Sequence, residues 1–294
     1  MSTKEWRKFD KLNGTKFLEH RTIDWEWLES VGARQRVEQL LGPKLIEAVN
    51  CNWDQYEELV LEFHNTFKHK EGTFAEHDAV SFILGRTGYE MDILRFTVAT
   101  GFYTVGEARS PEFATSLRGA YQTPKEMSVV GSKLARFWST TSDHPFASTN
   151  LITSVCDPVY RYLLKIFSTT LVGQKSRENK SSWMDLFILM CCVEQRAMNL
   201  VSVLAWSFTR TRRGGHQAAL DIGPYITRIA RNLGVFENYN PQHLHPGPTS
   251  ALFGIKELQL AGIVRWTGPI TWEGVRQGAQ VQPPEGHLAT DVMH

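Results

Sequence analysis

Apolar positions recur with a helical period through much of the chain. Tyr56, Leu59, Val60, Phe63 and Phe67 fall at i, i+3, i+4, i+7 and i+11, with Glu57, Glu58 and Glu62 on the opposite face. One apolar stripe with an acidic back is what a core-facing helix requires, so the spacing predicts a helix over 54–67. Asp157 before Pro158 is a helix start, because aspartate accepts from the unbonded N–H groups of the first turn and proline has no N–H to lose there. Tyr162, Leu163, Ile166, Phe167 and Thr170 continue that face to a stop before Gly173. Asp221-Ile222-Gly223-Pro224 opens another helix, with Tyr225, Ile226, Ile229, Ala230 and Leu233 on one side and Gly234 as its end. Trp183 to Phe208 is apolar on nearly every side and reads as one or two buried helices at the centre of the core. Val37, Leu40, Leu41, Leu45 and Val49 also fit a helix, which Pro43 after Gly42 must break, giving two short helices. Ser250 to Val264 is predicted as a last helix.

The period changes at Val80 to Leu84, a β-favouring run followed by the turn-prone Gly85-Arg86-Thr87-Gly88, which predicts a small hairpin. Asp92 can cap a helix through Thr100, with Gly101 at the left-handed stop position. Residues 104–156 are rich in Ser, Thr, Gly and Pro with apolar islands such as Leu134 to Trp138, so short helices joined by long loops are expected. Residues 1–30 mix charge with Ile23, Trp25, Trp27 and Leu28 at no clean period and read as an arm docking on the core. Residues 267–294, with TGP, QGAQ and QPPEG, read as a flexible tail. The resulting expectation is a mainly α, multi-helix globular domain over 31–266, with one small β-hairpin near residues 80–90.

Composition permits this architecture. The 294 residues are 42% hydrophobic and 21% charged, enough to bury a core, and 32 basic against 31 acidic side chains give a net charge of +1. No global field therefore draws the chain to nucleic acid or an anionic membrane. The distribution is less even: residues 150–216 hold nine basic and four acidic side chains, whereas residues 41–149 hold ten and fourteen. Within the basic third, 174–180 (QKSRENK) and 208–216 (FTRTRRGGH) read as loops whose Lys175, Arg177, Lys180, Arg210, Arg212 and Arg213 could hold phosphates. Against this stands an ordinary solvated loop, since three arginines neutralise few phosphates. Cys51, Cys156, Cys191 and Cys192 show no C-x-x-C spacing, the first residues lack the apolar run of a signal peptide, and Asp185, Glu194 and Arg196 interrupt the most apolar stretch. A cytoplasmic or nuclear protein with reduced thiols and no membrane partner is expected.

Candidate chemistry is sparse. His64, His69 and His77 lie among Glu62, Glu71, Glu76 and Asp78, a ligand set suited to zinc or iron but at no known ligand spacing, and a histidine-rich helix end and loop explains them as well. His243 and His245 would need two distant ligands. Adjacent helical Cys191 and Cys192 point about 100° apart and suit a core better than a shared metal. No nucleophile elbow, no cysteine–histidine signature and no phosphate-cradling glycine loop occurs. No catalytic residue, metal, cofactor or small-molecule substrate is expected, and the chain reads as a non-enzyme.

Six segments in order, IDWEWLESVGARQRVEQLLG, YEELVLEFHNTFK, VSFILGRTGYEMDILRFTVATGFYTVGEA, SPEFATSLRGAYQTPKE, DPVYRYLLKIFSTTLVG and DIGPYITRIARNLGVF, resemble successive blocks of the Athila-type open-reading-frame-1 proteins. Plant gypsy-type long-terminal-repeat retrotransposons encode these proteins. The block around Phe82, Leu84, Leu94, Phe96 and Tyr103 more distantly resembles the plant mobile domain. The resemblance implies a retrotransposon-derived protein, Gag-like in role, that assembles with itself or binds RNA or DNA. It supplies no active site, and no zinc knuckle, D-[ST]-G protease motif or Y-x-D-D polymerase motif is present. The alternatives are a host-adopted protein-interaction module like the plant mobile domain, or an inert fragment of a transposable element.

Overall fold

A computed structural model describes residues 21–51, 53–69, 79–113, 115, 132–147, 150–172, 179–196, 198–213, 222–245, 252–266 and 270–272. The chain is mainly helical, and its strands form only a three-stranded sheet and two-stranded ladders among the described residues. Of the N-terminal arm, the part from Arg21 onward is described: helix α1 (Trp25–Ser30) is capped by Asp24, and Ile23 and Leu28 are buried, so this part docks on the core as its apolar residues require.

Two helices occupy the centre. In α7 (Pro158–Thr170) the Asp157 carboxylate accepts from the Val159 N–H at 2.8 Å and Pro158 sits in the first turn, as its sequence predicts. All but one of its residues are buried, so a helix expected to bury one face buries nearly all of them. Its fully buried Arg161 donates to the Val155 carbonyl at 2.5 Å and to the Gly262 carbonyl, fastening the C-terminal part of the chain to the core. Helix α8 (Trp183–Val193) packs beside it, started by a reciprocal cap in which Ser182 and Asp185 each bond the other's backbone N–H. The apolar run then divides at 194–199 and resumes as α9 (Leu200–Arg213).

Helix α3 (Glu57–Thr66) carries the predicted stripe but starts later than the periodicity indicates, because Gln55–Tyr56 form strand β1 against β7 (Leu244–His245). Strands β3 (Ala79–Leu84) and β4 (Thr87–Asp92) form the predicted hairpin, with Phe82 opposite Tyr89 and Leu84 opposite Thr87. Its two-residue turn places Gly85 and Arg86 at φ +57° and +65°, the left-handed pair that matches strand twist. The Glu62 carboxylate on α3 accepts from the Arg86 N–H at 3.1 and 3.2 Å, which supports the non-glycine residue in that conformation. Strand β2 (Lys68–His69) adds a third strand. Behind the sheet, Phe63, Phe67, Phe82, Phe96 and Phe208 gather with ring centroids 4.8–6.3 Å apart. Aromatic pairs at such separations add to the burial energy. Asp92 caps α4 (Ile93–Ala99) and Gly101 follows at φ +73°, both as expected.

Segment α2 (Arg34–Val49) consists of two short helices that meet at a kink at Gly42, as the Gly42-Pro43 pair predicts. Gly42, at φ +64° and ψ 169°, occupies a region open essentially only to glycine, so one residue absorbs the break that Pro43 imposes. Short α5 (Val105–Ala108) and α6 (Lys133–Thr141) lie in the Ser/Thr-rich stretch. Helix α10 (Gly223–Asn232) ends before Gly234 at φ +69°, as predicted, and α11 (Val235–Asn238) follows. The last helix is shorter than Ser250 to Val264: α12 (Ile255–Leu260) starts where Glu257 bonds the Gly254 N–H and ends near Gly262 at φ +65°. Strands β8 (Val264–Trp266) and β9 (Ile270–Trp272) then pair in a second hairpin, which carries ordered backbone past residue 266, where the tail was expected to begin. β-Favouring Val, Ile, Thr and Trp account for the two strands.

Candidate functional site

Of the six basic residues expected to hold phosphate, Lys175 and Arg177 lie outside the described residues. Lys180 is exposed in β6 (Lys180–Ser181), opposite Leu151 of β5 (Asn150–Leu151). Arg210, Arg212 and Arg213 lie in the last turn of α9, where the sequence reading expected a loop. Arginine is a good helix former and a cation suits the negative end of the helix dipole, so the helix runs on through them. Strand β6 packs on β5, α7 and α8, whereas α9 packs on α3 and β2, so the two basic segments rest on different neighbours. Among the described residues, burial removes charges of both signs equally from residues 150–216 and leaves their excess of base over acid unchanged. Arg161 and Lys165 are buried, as are Asp157 and Asp185. Exposed Arg196 pairs with Glu194 at 3.3 Å.

The histidines are dispersed. His64 is buried between the Phe63 and Phe208 rings, with centroids at 6.1 and 6.3 Å, whereas His69 is half-buried in β2 and His77 lies outside the described residues. His243 is exposed and clasps Glu58, its Nδ1 2.7 Å from the carboxylate. Among the described residues, no three His, Cys, Asp or Glu side chains gather as a metal would require, and no helix is long and apolar enough to cross a membrane.

One concave feature is marked by no sequence motif. The kink in α2 opens a cavity of about 430 Å³ between its two halves, the end of α8 and the start of α9. Leu40, Leu41, Leu45, Met198 and Leu200 supply an apolar wall, together with the thiols of Cys191 and Cys192. Burial pushes both thiols up to about 12, so at neutral pH they stay protonated and behave as small apolar side chains, as their adjacency in a helix predicts. At the rim, Lys44 donates to the Phe102 carbonyl at 2.7 Å and to Glu107 at 2.8 Å, with its ammonium 4.1 Å from the centre of the Tyr103 ring. The lysine and the Thr104 cap together hold the Glu107 carboxyl down at about 2. Tyr103 accepts from the Leu200 N–H at 3.2 Å, and burial raises its phenol.

The kink itself is braced from α8. Pro43 has no N–H for the Gln39 carbonyl, and the Gln195 amide donates to that carbonyl at 3.4 Å and to the Cys192 carbonyl at 2.6 Å. Gln195 does so from φ +51°, one of three non-glycine residues with positive φ among those described. Two unusual backbone conformations, Gly42 and Gln195, therefore flank one cavity. Sequence reasoning identified the break at Gly42-Pro43 but not the cavity, which exists only because residues 195–200 return to that point. No protein-family model, curated protein or solved structure matches the chain.

Proposed function

We propose that the chain is a non-enzymatic, retrotransposon-derived protein of Gag-like type that assembles with itself or binds RNA or DNA, with Arg210, Arg212 and Arg213 as its principal phosphate contacts. The observation that carries this reading is the form of α9. Its stem, Leu200 to Phe208, is largely buried and ends in the aromatic cluster, and the same helix continues without a break into Arg210, Arg212 and Arg213. The backbone of this basic segment is already helical, so binding would not have to order it. The ordered resemblance to the Athila-type proteins supports the same reading.

Light scattering on the purified chain, with and without single-stranded RNA at low and moderate salt, tests it. Mass growth that RNA promotes and salt reverses is expected. Charge reversal at Arg210, Arg212 and Arg213 should flatten the salt dependence of affinity by about 2 in log–log slope, the share of three phosphates on a single strand. A monomer indifferent to RNA and salt overturns the reading.

One observation favours a protein-interaction module instead. Leu151 and Leu260 are 48% and 67% exposed, and both adjoin Asn179, whose carbonyl accepts from the Ile152 N–H while its amide donates to the Leu260 carbonyl. Such a module would bind a partner protein through this apolar pair and be indifferent to the arginine substitutions.

A further inference from the structure

The cavity at the α2 kink has no part in the basic-helix reading, and its chemistry identifies a different kind of ligand. We propose that it binds a small apolar molecule ending in a carboxylate, such as a medium-chain fatty acid. Its volume of about 430 Å³ lies within the range of small-molecule sites, roughly 300–1,000 Å³. The wall of leucine, methionine and protonated thiol has no polar demand and would take an alkyl chain.

The rim is dominated by donors. The Tyr103 hydroxyl accepts from Leu200 and has no acceptor for its own proton among the described residues. Arg196 has five N–H donors, of which Nη1 meets Glu194 at 3.3 Å and the others meet no acceptor among the described residues. Lys44 places two of its three N–H bonds on Phe102 and Glu107. Against these, the Gln195 side-chain oxygen is the one lining side-chain acceptor that neither accepts a hydrogen bond nor pairs with a cation among the described residues. A carboxylate, with two oxygens that only accept, complements such a rim, whereas an alcohol or an amine fits fewer of its groups. Glu107 and Glu194 balance the charges of Lys44 and Arg196, so recognition rests on placed donors and not on a positive field. The affinity is accordingly modest, with a dissociation constant on the order of 0.1 mM for a ligand of this size. Gln195, a non-glycine residue at positive φ, lines the cavity, and such backbone conformations concentrate at ligand sites.

The test is titration of the full chain, carrying labelled leucine and methionine methyl groups, with decanoate and separately with 1-decanol. Saturable shifts confined to Leu40, Leu41, Leu45, Met198 and Leu200 are expected, with decanoate binding at least about fivefold tighter than the alcohol, the share of one charge-assisted hydrogen bond. Arg196→Gln, at an exposed site, should reduce that preference by about twofold or more, with Tyr103 and Lys44 still in place. Leu45→Trp, which fills the cavity from a half-buried position, should weaken both ligands. An unchanged urea midpoint for each variant shows that the fold persists. Equal affinity for acid and alcohol, an Arg196→Gln variant whose preference for the acid is undiminished, or shifts scattered over the surface overturns the proposal.

Discussion

At the scale of single residues, the glycines separate two kinds of constraint. A Cβ on Gly85 would lie 2.5 Å from a methyl carbon of Val235 while the backbone there stays left-handed, so strain and overlap act together. Gly85→Ala should destabilise the protein by about 2–4 kcal/mol, read as a lower urea midpoint at unchanged slope. Gly88, three residues on in the same hairpin, has open space around it and no positive φ, and Gly88→Ala should be neutral or stabilising by about 0.5 kcal/mol. Gly42 is the intermediate case: a Cβ there meets nothing within 4 Å, so the cost of Gly42→Ala, about 1–3 kcal/mol, is backbone strain alone. If Gly42→Ala proved harmless, the kink would not depend on its glycine-only conformation.

At the scale of elements, the junction of α3 with β7 depends on one carboxylate. Glu58 accepts from the N–H groups of Gln242 and His243, at 3.0 and 3.1 Å, and from the His243 ring. Partial burial pushes its pKa up, but hydrogen bonds to the carboxylate outweigh burial and leave it below the ordinary 4.5, whereas His243 is raised above 6.5, chiefly by its hydrogen bond to Glu58. The signs define a window. The histidine's contribution is complete below pH 6.5 and is lost as pH rises through the raised value. The glutamate's is complete above pH 4.5 and is lost as pH falls through the lowered one. The stability difference between wild type and His243→Gln should therefore be largest between pH 4.5 and 6.5 and shrink on either side, as chemical unfolding at stepped pH will show. The Lys44–Glu107 pair is set differently. Glu107→Gln should cost stability at every pH above 4.5, with the difference fading as pH falls toward 2.

At the scale of the whole molecule, polar contacts link segments far apart in sequence. Arg161 reaches the Gly262 carbonyl, the Tyr225 hydroxyl donates to the Ala48 carbonyl at 3.0 Å, and the Tyr162 hydroxyl accepts from the Asp24 N–H at 3.1 Å. Arg161→Leu would leave the Val155 and Gly262 carbonyls without this donor in a dry interior. It should cost about 2–4 kcal/mol and loosen the segment around Gly262 first, seen as faster amide exchange over 258–264. Charge reversal at the α9 end belongs to this scale for the opposite reason. It should alter association with RNA and lower the unfolding free energy by only about 1 kcal/mol, the share of unfavourable charges at the negative end of the helix dipole.

Local chemistry sufficed for much of this architecture. The stripe of α3, the Asp157-Pro158 start of α7, the Asp92 cap and Gly101 stop of α4, and the hairpin with its Gly85 turn were legible because caps, turns and periodicity act over a few residues. The largely apolar character of 183–208 likewise marked a buried pair, although not where it would divide. Tertiary structure decided the rest. Gln55–Tyr56 left the predicted helix because a strand some 190 residues later pairs with them. The break in α2 was legible at Gly42-Pro43, but the cavity beside it was not, because residues from far along the chain, 195–200, return to line it. Charge counted along the chain did not show which groups are internal: folding buries Arg161 and Lys165 together with Asp157 and Asp185. Composition records which groups are present, but only packing determines which of them meet solvent and which meet each other.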